Sequence, residues 1–347
     1  MKFLFALTGC LLITSSLPSQ TNQAVFDEIN TYVNRTCQYL GDCPYAIVIS
    51  KDNKVIYEKY EKGSGTLGEI NASSRWQLFS ITKSFISALV MSLVEKKQIK
   101  LDDPVSQYLP AFKTKGKGPF DRRTVTIRHL MSHTSGTAVK GVKLPAINPV
   151  DLEEVEIVTE PGKDFLYSGL GMNILERTLE ACTGKDLDVL LQEEIIKPLG
   201  LQSAAYVYSM EDTHLKTMGP VLSLRPDKPV FSEKGGRAGS GLFINARDLN
   251  RFGQFWLLPD KLFNLKWRAE AWKWHGTRDS DGGKYGLLWW LFADQGAYLM
   301  SGHQYKINAV LPSKAIVITV LRLPQNDELF EFWPDKLKIV TLGNKIK

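Results

Sequence analysis

Apolar positions recur along this chain with two different periods, and the alternation between them outlines its organisation. From Ile81 to Val94 the residues Ile81, Phe85, Ile86, Leu89, Val90, Met91, Leu93 and Val94 point around nearly the whole circumference of a helix. The pattern predicts a helix over Gln77 to Lys97 that is buried on most sides. Residues 23 to 38 predict an earlier helix. It leads into "PYAIVISKDNKVIYEKYEKGSG", where two β-rich runs flank Lys51-Asp52-Asn53 as a hairpin. From Lys97 to about residue 235 the pattern is mostly helices and long loops, with "TVTIRHLMSHTSG" and "MNILERTLEACTGKDLDVLLQEEIIKPLG" as examples. After the helix "NARDLNRFGQFWLL", β character returns in "YGLLWWLFA", "AYLMSGHQYKINAVL" and "AIVITVLRL", ahead of a helical tail. No period of repeat length is visible. Strands at both ends with helices between predict a mixed α/β (α+β) chain with one antiparallel sheet flanked by helices. The sheet domain is expected from residues 21–79 and 236–347, and residues 80–235 form a mostly helical insert, with Ser80 at the seam.

One residue conflicts with the buried helix. Lys83 lies in its first turn, and burying an ammonium costs several kcal/mol unless it is paired or gives up its proton. A neutral amine is a base, and Ser80 lies three residues earlier on the same helical face. The helix start also offers unpaired N–H groups and a dipole that favours negative charge. A hydroxyl beside a base, with donors ready for an oxyanion, is the arrangement that turns serine into a nucleophile. The plainer reading of Ser80-Ile81-Thr82-Lys83 is a helix cap and a lysine that snorkels to solvent.

Composition narrows the alternatives. The 347 residues are 44% hydrophobic and 23% charged, which is globular composition in a chain long enough to bury a full core. The charge of +6 comes from 43 Lys and Arg scattered among 37 Asp and Glu, with no basic helix, RNP-like string or zinc-finger spacing. It reads as solubility, and nucleic acid is not an expected partner. At the N-terminus, Lys2 followed by an apolar run from Phe3 to Leu17 and then small polar residues has the layout of a secretory signal over residues 1–20. The expected product is exported, periplasmic or secreted, and no later segment is apolar enough to span a bilayer. "LTGC" around Cys10 gives a lipid anchor as the alternative. Cys37 and Cys43 in "CQYLGDC" are spaced to close a small loop in an oxidising compartment, and Cys182 reads as a small buried hydrophobe.

The landmarks "FSITKSF", "LDDPVSQYLP", "TIRHLMSHTSG", "PGKDFLYSGLGMNIL", "IIKPLGL", "GSGLFINARDLNRFGQ" and "SGHQY" run in that order from about residue 40 to 322. In sequence and order they resemble the serine β-lactamase and penicillin-binding-protein-like hydrolases. The resemblance is to the class C-like branch, which includes esterases, D-aminopeptidases and 6-aminohexanoate-oligomer hydrolases. It implies that Ser80 is acylated, that Lys83 is its base partner, and that Tyr167 shuttles the proton to the leaving group. It implies no cofactor, and a small-molecule or short peptide-like substrate carrying an ester or amide. A backbone N–H among Ser301, Gly302 and His303 is expected to join that of Ser80 as the oxyanion hole.

The chain departs from the family pattern twice. Gly169 stands where many relatives carry an asparagine that holds the substrate carbonyl, with Asn173 as a possible substitute. The K-T-G strand of true β-lactamases is replaced by Ser301-Gly302-His303, which argues against efficient antibiotic hydrolysis. A weakly active or inactive binding, sensor or assembly protein on the same fold is the competing expectation. The four-residue spacing of His129 and His133 would set both on one helical face, but Leu130 stands where a zinc protease needs Glu, so no metal is expected and "SHTSG" reads as the family's structural turn after a helix. Trp289 and Trp290 fit the pleat of a strand with one in the core. Trp256, Trp267, Trp272 and Trp274 read as packing rather than a sugar platform.

Overall fold

The computed structural model describes residues 20–63, 69–139, 151–206, 221–222, 237–276, 283–324 and 332–347. The predicted leader up to residue 19, with Cys10, lies outside them. Helix α1 (Gln20–Tyr39) precedes the hairpin of β1 (Tyr45–Lys51) and β2 (Lys54–Glu61). Strand β3 (Arg75–Gln77) and a 3₁₀ turn (Phe79–Ile81) deliver the chain into α2 (Thr82–Glu95). Then come α3 (Ile127–Met131), the short strands β4 (Thr137–Ala138) and β5 (Glu156–Ile157), α4 (Gly169–Thr183) and α5 (Leu187–Leu191). Strands β6 (Ala205–Tyr206), β7 (Val221–Leu222) and β8 (Leu242–Asn245) lead to α6 (Ala246–Leu257) and α7 (Leu265–Ala271). The chain closes with β9 (Lys284–Tyr285), β10 (Trp290–Phe292), β11 (Ala297–Gly302), β12 (Lys306–Leu311), β13 (Ile316–Arg322) and α8 (Phe332–Gly343).

The main sheet has seven strands in the order β2-β1-β13-β12-β11-β10-β9. All its pairings are antiparallel, with Ile49 opposite Ile318 where the N-terminal hairpin meets the C-terminal strands. The hairpin turn falls on Asp52 and Asn53, both at positive φ (50° and 60°), the backbone a two-residue type I′ turn requires. Strands β1 and β13 are buried along almost their whole length because both faces of the sheet are covered. Ile47, Ile49, Ile316 and Ile318 pack with Phe26, Val33, Ile339 and Val340 from α1 and α8, while Val48, Val317 and Leu321 face the core that contains α2 and α6. Cys37 and Cys43 are disulfide-bonded with their Cα atoms 4.8 Å apart, pinning the end of α1 to the start of β1.

On the inner face, α2 is buried from Thr82 to Val94, as its apolar pattern predicts. Two of its serines are satisfied by loop carbonyls: Ser84 Oγ donates to Leu288 O (3.2 Å) and Ser87 Oγ to Leu287 O (2.7 Å). Helix α6 lies on the sheet, and its Asn250 side chain donates to the carbonyls of Val48 and Val317. A smaller sheet, β6-β8-β3-β7, leads directly into the 3₁₀ turn that carries Ser80. The run "YGLLWWLFA", expected to have β character, is interrupted between β9 and β10. Leu288 adopts φ +65°, and its N–H donates to Met131 O at 2.9 Å, so residues 286–289 leave the ladder to hold α3. No helix among the described residues is long and apolar enough to cross a membrane.

A buried charge cluster joins α8 to the sheet. Arg322 Nη1 donates to Asp335 Oδ2 (2.8 Å), and neighbouring Lys336 is 1% exposed. Burial, reinforced by Arg322 and opposed by Asp335, brings the Lys336 amine down to about 6. Its ordinary value is about 10.4, so between those two pH values the unfolded chain binds a proton that the folded chain does not, and stability rises with pH. Below pH about 6 the lysine is charged in both states and the cost is constant. Lys336→Met is expected to raise the melting temperature at pH 7 and to flatten the rise in stability between pH about 6 and about 10. Melting curves across that range check it, and an unchanged slope contradicts it.

Candidate active site

The site is built where four pieces of backbone meet. Ser80 sits in the 3₁₀ turn rather than in α2 itself, and Thr82 N–H closes the junction onto the carbonyls of Phe79 and Ser80. Phe79 has φ +49°, a left-handed conformation that a bulky residue adopts only under constraint, and such outliers collect at functional positions. The constraint comes from both sides. Leu78 N–H donates to Leu242 O (2.9 Å), and Ile81 N–H donates to Leu78 O (3.2 Å).

Lys83, one turn on, is 4% exposed. Its Nζ donates to Ser80 Oγ at 3.0 Å and to the Gly239 carbonyl at 2.7 Å, and it lies 4.9 Å from the centre of the Tyr167 ring. The lysine does not snorkel outward. Its side chain is buried, and its head is answered by a hydroxyl, a carbonyl and an aromatic face.

Tyr167 is half-buried just ahead of α4, and its hydroxyl makes no hydrogen bond among the described residues. Ser168 caps that helix by accepting from Gly171 N–H at 2.9 Å, which fixes where the preceding tyrosine projects. The Tyr167 ring stacks on Trp290 (6.1 Å between centres, 14°) and tilts against His133 (4.4 Å). Phe165 and Tyr285 complete this aromatic wall. Burial and neighbouring Tyr167 push the Tyr285 phenol well up, so it stays neutral.

His133 is a component that the sequence reading left as part of a turn. Helix α3 ends at Met131, and His133 lies beyond it at φ +54°, so His129 and His133 do not share a helical face. His129 closes a capping box, its ring accepting from Thr126 N–H at 3.3 Å. His133 is 1% exposed, and its Nδ1 accepts from Ser168 N–H at 3.3 Å, which assigns the ring proton to Nε2. Burial and the nearby Lys83 hold this imidazole well below its usual range, so it is neutral. Its position in "SHTSG" was the available signal, but only the fold brings it against Tyr167.

Strand β11 closes the other side. Gly302 lies against the nucleophile turn so tightly that a Cβ there would sit 2.3 Å from Leu78 O. His303 is exposed, its ring centre 5.3 Å from that of Phe79 in a T-shaped arrangement. Ser301 is 5% exposed, and its Oγ finds no hydrogen-bond partner among the described residues. Gly302 and His303 therefore reach the Ser80 turn, whereas the Ser301 side chain is enclosed. Gly169 forms the first residue of α4, and Asn173, the possible substitute for the missing amide, is fully buried one turn further along. Its side chain does not line an open cleft.

The other singled-out residues lie elsewhere. Cys182 is half-buried, and its thiol contacts Gln98 O at 3.8 Å. Trp256, Trp272 and Trp289 pack on one another, and Trp290 stands in the aromatic wall. Trp267 donates to Glu95 (2.5 Å), and Trp274 is 37% exposed.

A family model described as "Beta-lactamase" matches residues 44–322. The curated "Beta-lactamase-like protein 2" of Dictyostelium discoideum is 25% identical over 271 residues, covering 68% of this chain and 46% of that protein. The "D-alanyl-D-alanine-carboxypeptidase/endopeptidase AmpH" of Escherichia coli K12 is 23% identical over 247 residues, 67% of this chain and 62% of its own length. The chain thus spans 46% and 62% of these two relatives. Among solved structures, "EstCE1, a hydrolase with promiscuous acyltransferase activity" superimposes with a TM-score of 0.73 at 18% identity, covering 95% of this chain and all of that one, and so shares its fold.

Two adjacent substitutions test the tight seam between β11 and the nucleophile turn. Gly302→Ala forces a methyl against backbone and is expected to destabilise by about 1–3 kcal/mol, the usual range for overpacking. Ser301→Ala removes a buried, unpartnered hydroxyl and is expected to leave stability unchanged or slightly higher. Denaturant unfolding measures both, and equal effects would contradict this geometry.

Proposed function

Because the chain belongs to the beta-lactamase family, we propose that it is a serine hydrolase that acylates Ser80 and then passes the acyl group to water. The observation that carries this reading is the buried Lys83 amine, 3.0 Å from Ser80 Oγ and under the face of Tyr167. In acylation, Ser80 Oγ bonds to the acyl carbon while the bond to the leaving group breaks. The serine proton passes to Lys83 Nζ and returns through the Tyr167 phenol to the departing oxygen or nitrogen. Water then attacks the acyl carbon by the reverse route, with its proton taken by the same pair and returned to Ser80. The N–H of Ser80 and one N–H from the Gly302–His303 end of β11 serve the oxyanion. No cofactor enters these steps.

The substrate class follows from what surrounds the nucleophile. Gly169 offers no side chain and Asn173 is buried, so neither supplies the amide that would hold the carbonyl of a peptide-like acyl chain. The half-buried rings of Phe165, Tyr167 and Trp290 present an apolar wall instead. Both features favour a neutral ester over a D-peptide or a β-lactam. The Cys37–Cys43 disulfide supports export to an oxidising compartment, in keeping with the leader-like first 17 residues.

Substitution of the named groups tests the reading. Ser80→Ala is expected to abolish covalent labelling by a fluorophosphonate with the fold intact, and labelling equal to wild type would refute the assignment. Lys83→Met is expected to remove acylation while holding or raising stability, since an apolar chain replaces a buried amine. Tyr167→Phe is expected to slow turnover by about 10²- to 10⁴-fold, the range for a general acid–base group, and to slow amides more than activated esters. A tyrosine with only a packing role would lower both substrate classes alike, together with the melting temperature.

A further inference from the structure

Lys83 has a second partner besides the nucleophile, the main-chain carbonyl of Gly239 at 2.7 Å. That carbonyl belongs to a segment with an unusual anchor two residues upstream. The Arg237 guanidinium is 5% exposed and donates from all three nitrogens: Nε to Glu176 (2.9 Å), Nη2 to Glu180 (2.7 Å) and Nη1 to Asp186 (2.5 Å). Glu176, 1% exposed, also accepts the Ala238 N–H through its other oxygen at 3.1 Å. The Tyr206 hydroxyl donates to Arg237 O at 3.0 Å. Side chain, carbonyl and following N–H are thus all fixed immediately before Gly239. The far end of the segment is fixed as well, by Leu242 N–H donating to Thr82 Oγ1 (3.2 Å) and Leu242 O accepting from Leu78 N–H (2.9 Å).

We propose that Arg237 and Glu176 are positioning residues for the hydrolase chemistry, setting the direction of the Lys83 amine through the Gly239 carbonyl. The proposal rests on the reading of Ser80 and Lys83 as nucleophile and base. An amine hydrogen held by Gly239 O leaves the remaining face of Nζ turned to Ser80 Oγ, so the carbonyl selects the orientation in which a proton can be received. A carbonyl on a free loop would let Nζ wander, and a misplacement of about 1 Å can cost about 10²-fold in rate. Helix α4 then has two tasks. Its capped first turn aims Tyr167, and Glu176, two turns along, holds the backbone that aims Lys83. A cluster with only a scaffold role has no reason to bind the main chain next to the lysine's acceptor.

The cluster borders a cavity of about 470 Å³ lined by Glu176, Glu180, Gly184, Lys185, Asp186 and Arg237 among others, which gives a small cation a route to the acids. The test is the pre-steady-state burst of p-nitrophenolate from p-nitrophenyl acetate, with folded enzyme counted by burst amplitude. Arg237→Ala and Glu176→Gln are expected to lower the burst rate per active site about 10-fold or more while KM changes by less than about 2-fold. Millimolar guanidinium ion is expected to restore part of the Arg237→Ala rate without changing that of wild type. Glu176→Gln keeps the shape of the side chain and carries the test if Arg237→Ala does not fold. Burst rates equal to wild type in folded variants, whatever their melting temperatures, would overturn the proposal. A wild-type enzyme that gives no burst and takes no acyl label on Ser80 would instead overturn the underlying hydrolase reading.

Discussion

An amine almost fully withdrawn from solvent has to be satisfied by the protein, and the site is organised around that requirement at Lys83. Its helix is buried from Thr82 to Val94, so bulk hydration of the amine is largely lost. Three groups answer it: Ser80 Oγ, Gly239 O and the face of Tyr167. They come from three separate stretches of chain, and none is adjacent to the others in sequence. Removing any one of them leaves a buried polar nitrogen with poorer company, which is the more expensive direction for a buried hydrogen bond to change. The local constraint therefore reaches outward, because each partner must itself be held.

The supporting contacts differ in kind. Ser80 is held by backbone, through the strained Phe79 and the close approach of Gly302 to Leu78 O. Tyr167 is held by a helix cap and by rings, with His133 neutral because burial and Lys83 both oppose its protonation. Gly239 is held by ions, through the Arg237 cluster. A buried ion pair is weak evidence for stability on its own, since desolvation offsets most of the attraction. At this place its use is geometric, because it fixes backbone at the acceptor of the lysine.

Much of this was legible in the sequence, for physical reasons that particular elements make plain. The circumferential apolar pattern of Ile81 to Val94 has one meaning, a helix buried on all sides, and it isolates Lys83 as the exception. The Asp52-Asn53 turn was legible because positive φ restricts the residues that can occupy it. The β character of residues 285–293 is legible but the break within it is not, because an apolar composition does not disclose that Leu288 turns away to bond Met131 O. The turn after α3 that holds His133 is legible in "SHTSG", but its contact with Tyr167 is made only by the fold. The Arg237 cluster could not be read at all: its acids lie 51 to 61 positions away, and charged residues at such distances resemble an ordinary solvated surface until the fold closes over them. Asn173 was left open by the sequence, because its complete burial is set by the packing around α4 and not by its position in the chain.

The central claim is that the Ser80 oxygen becomes covalently acylated during turnover, with Lys83 and Tyr167 moving its proton. The most direct measurement is rapid acid quench of the enzyme during hydrolysis of a slowly deacylating p-nitrophenyl ester, followed by intact mass and peptide mapping. The account predicts a mass increase equal to the acyl group, located on Ser80, that rises within the burst and decays as substrate is exhausted. Turnover that proceeds with no acylated species, or with the acyl group on another side chain, would contradict it.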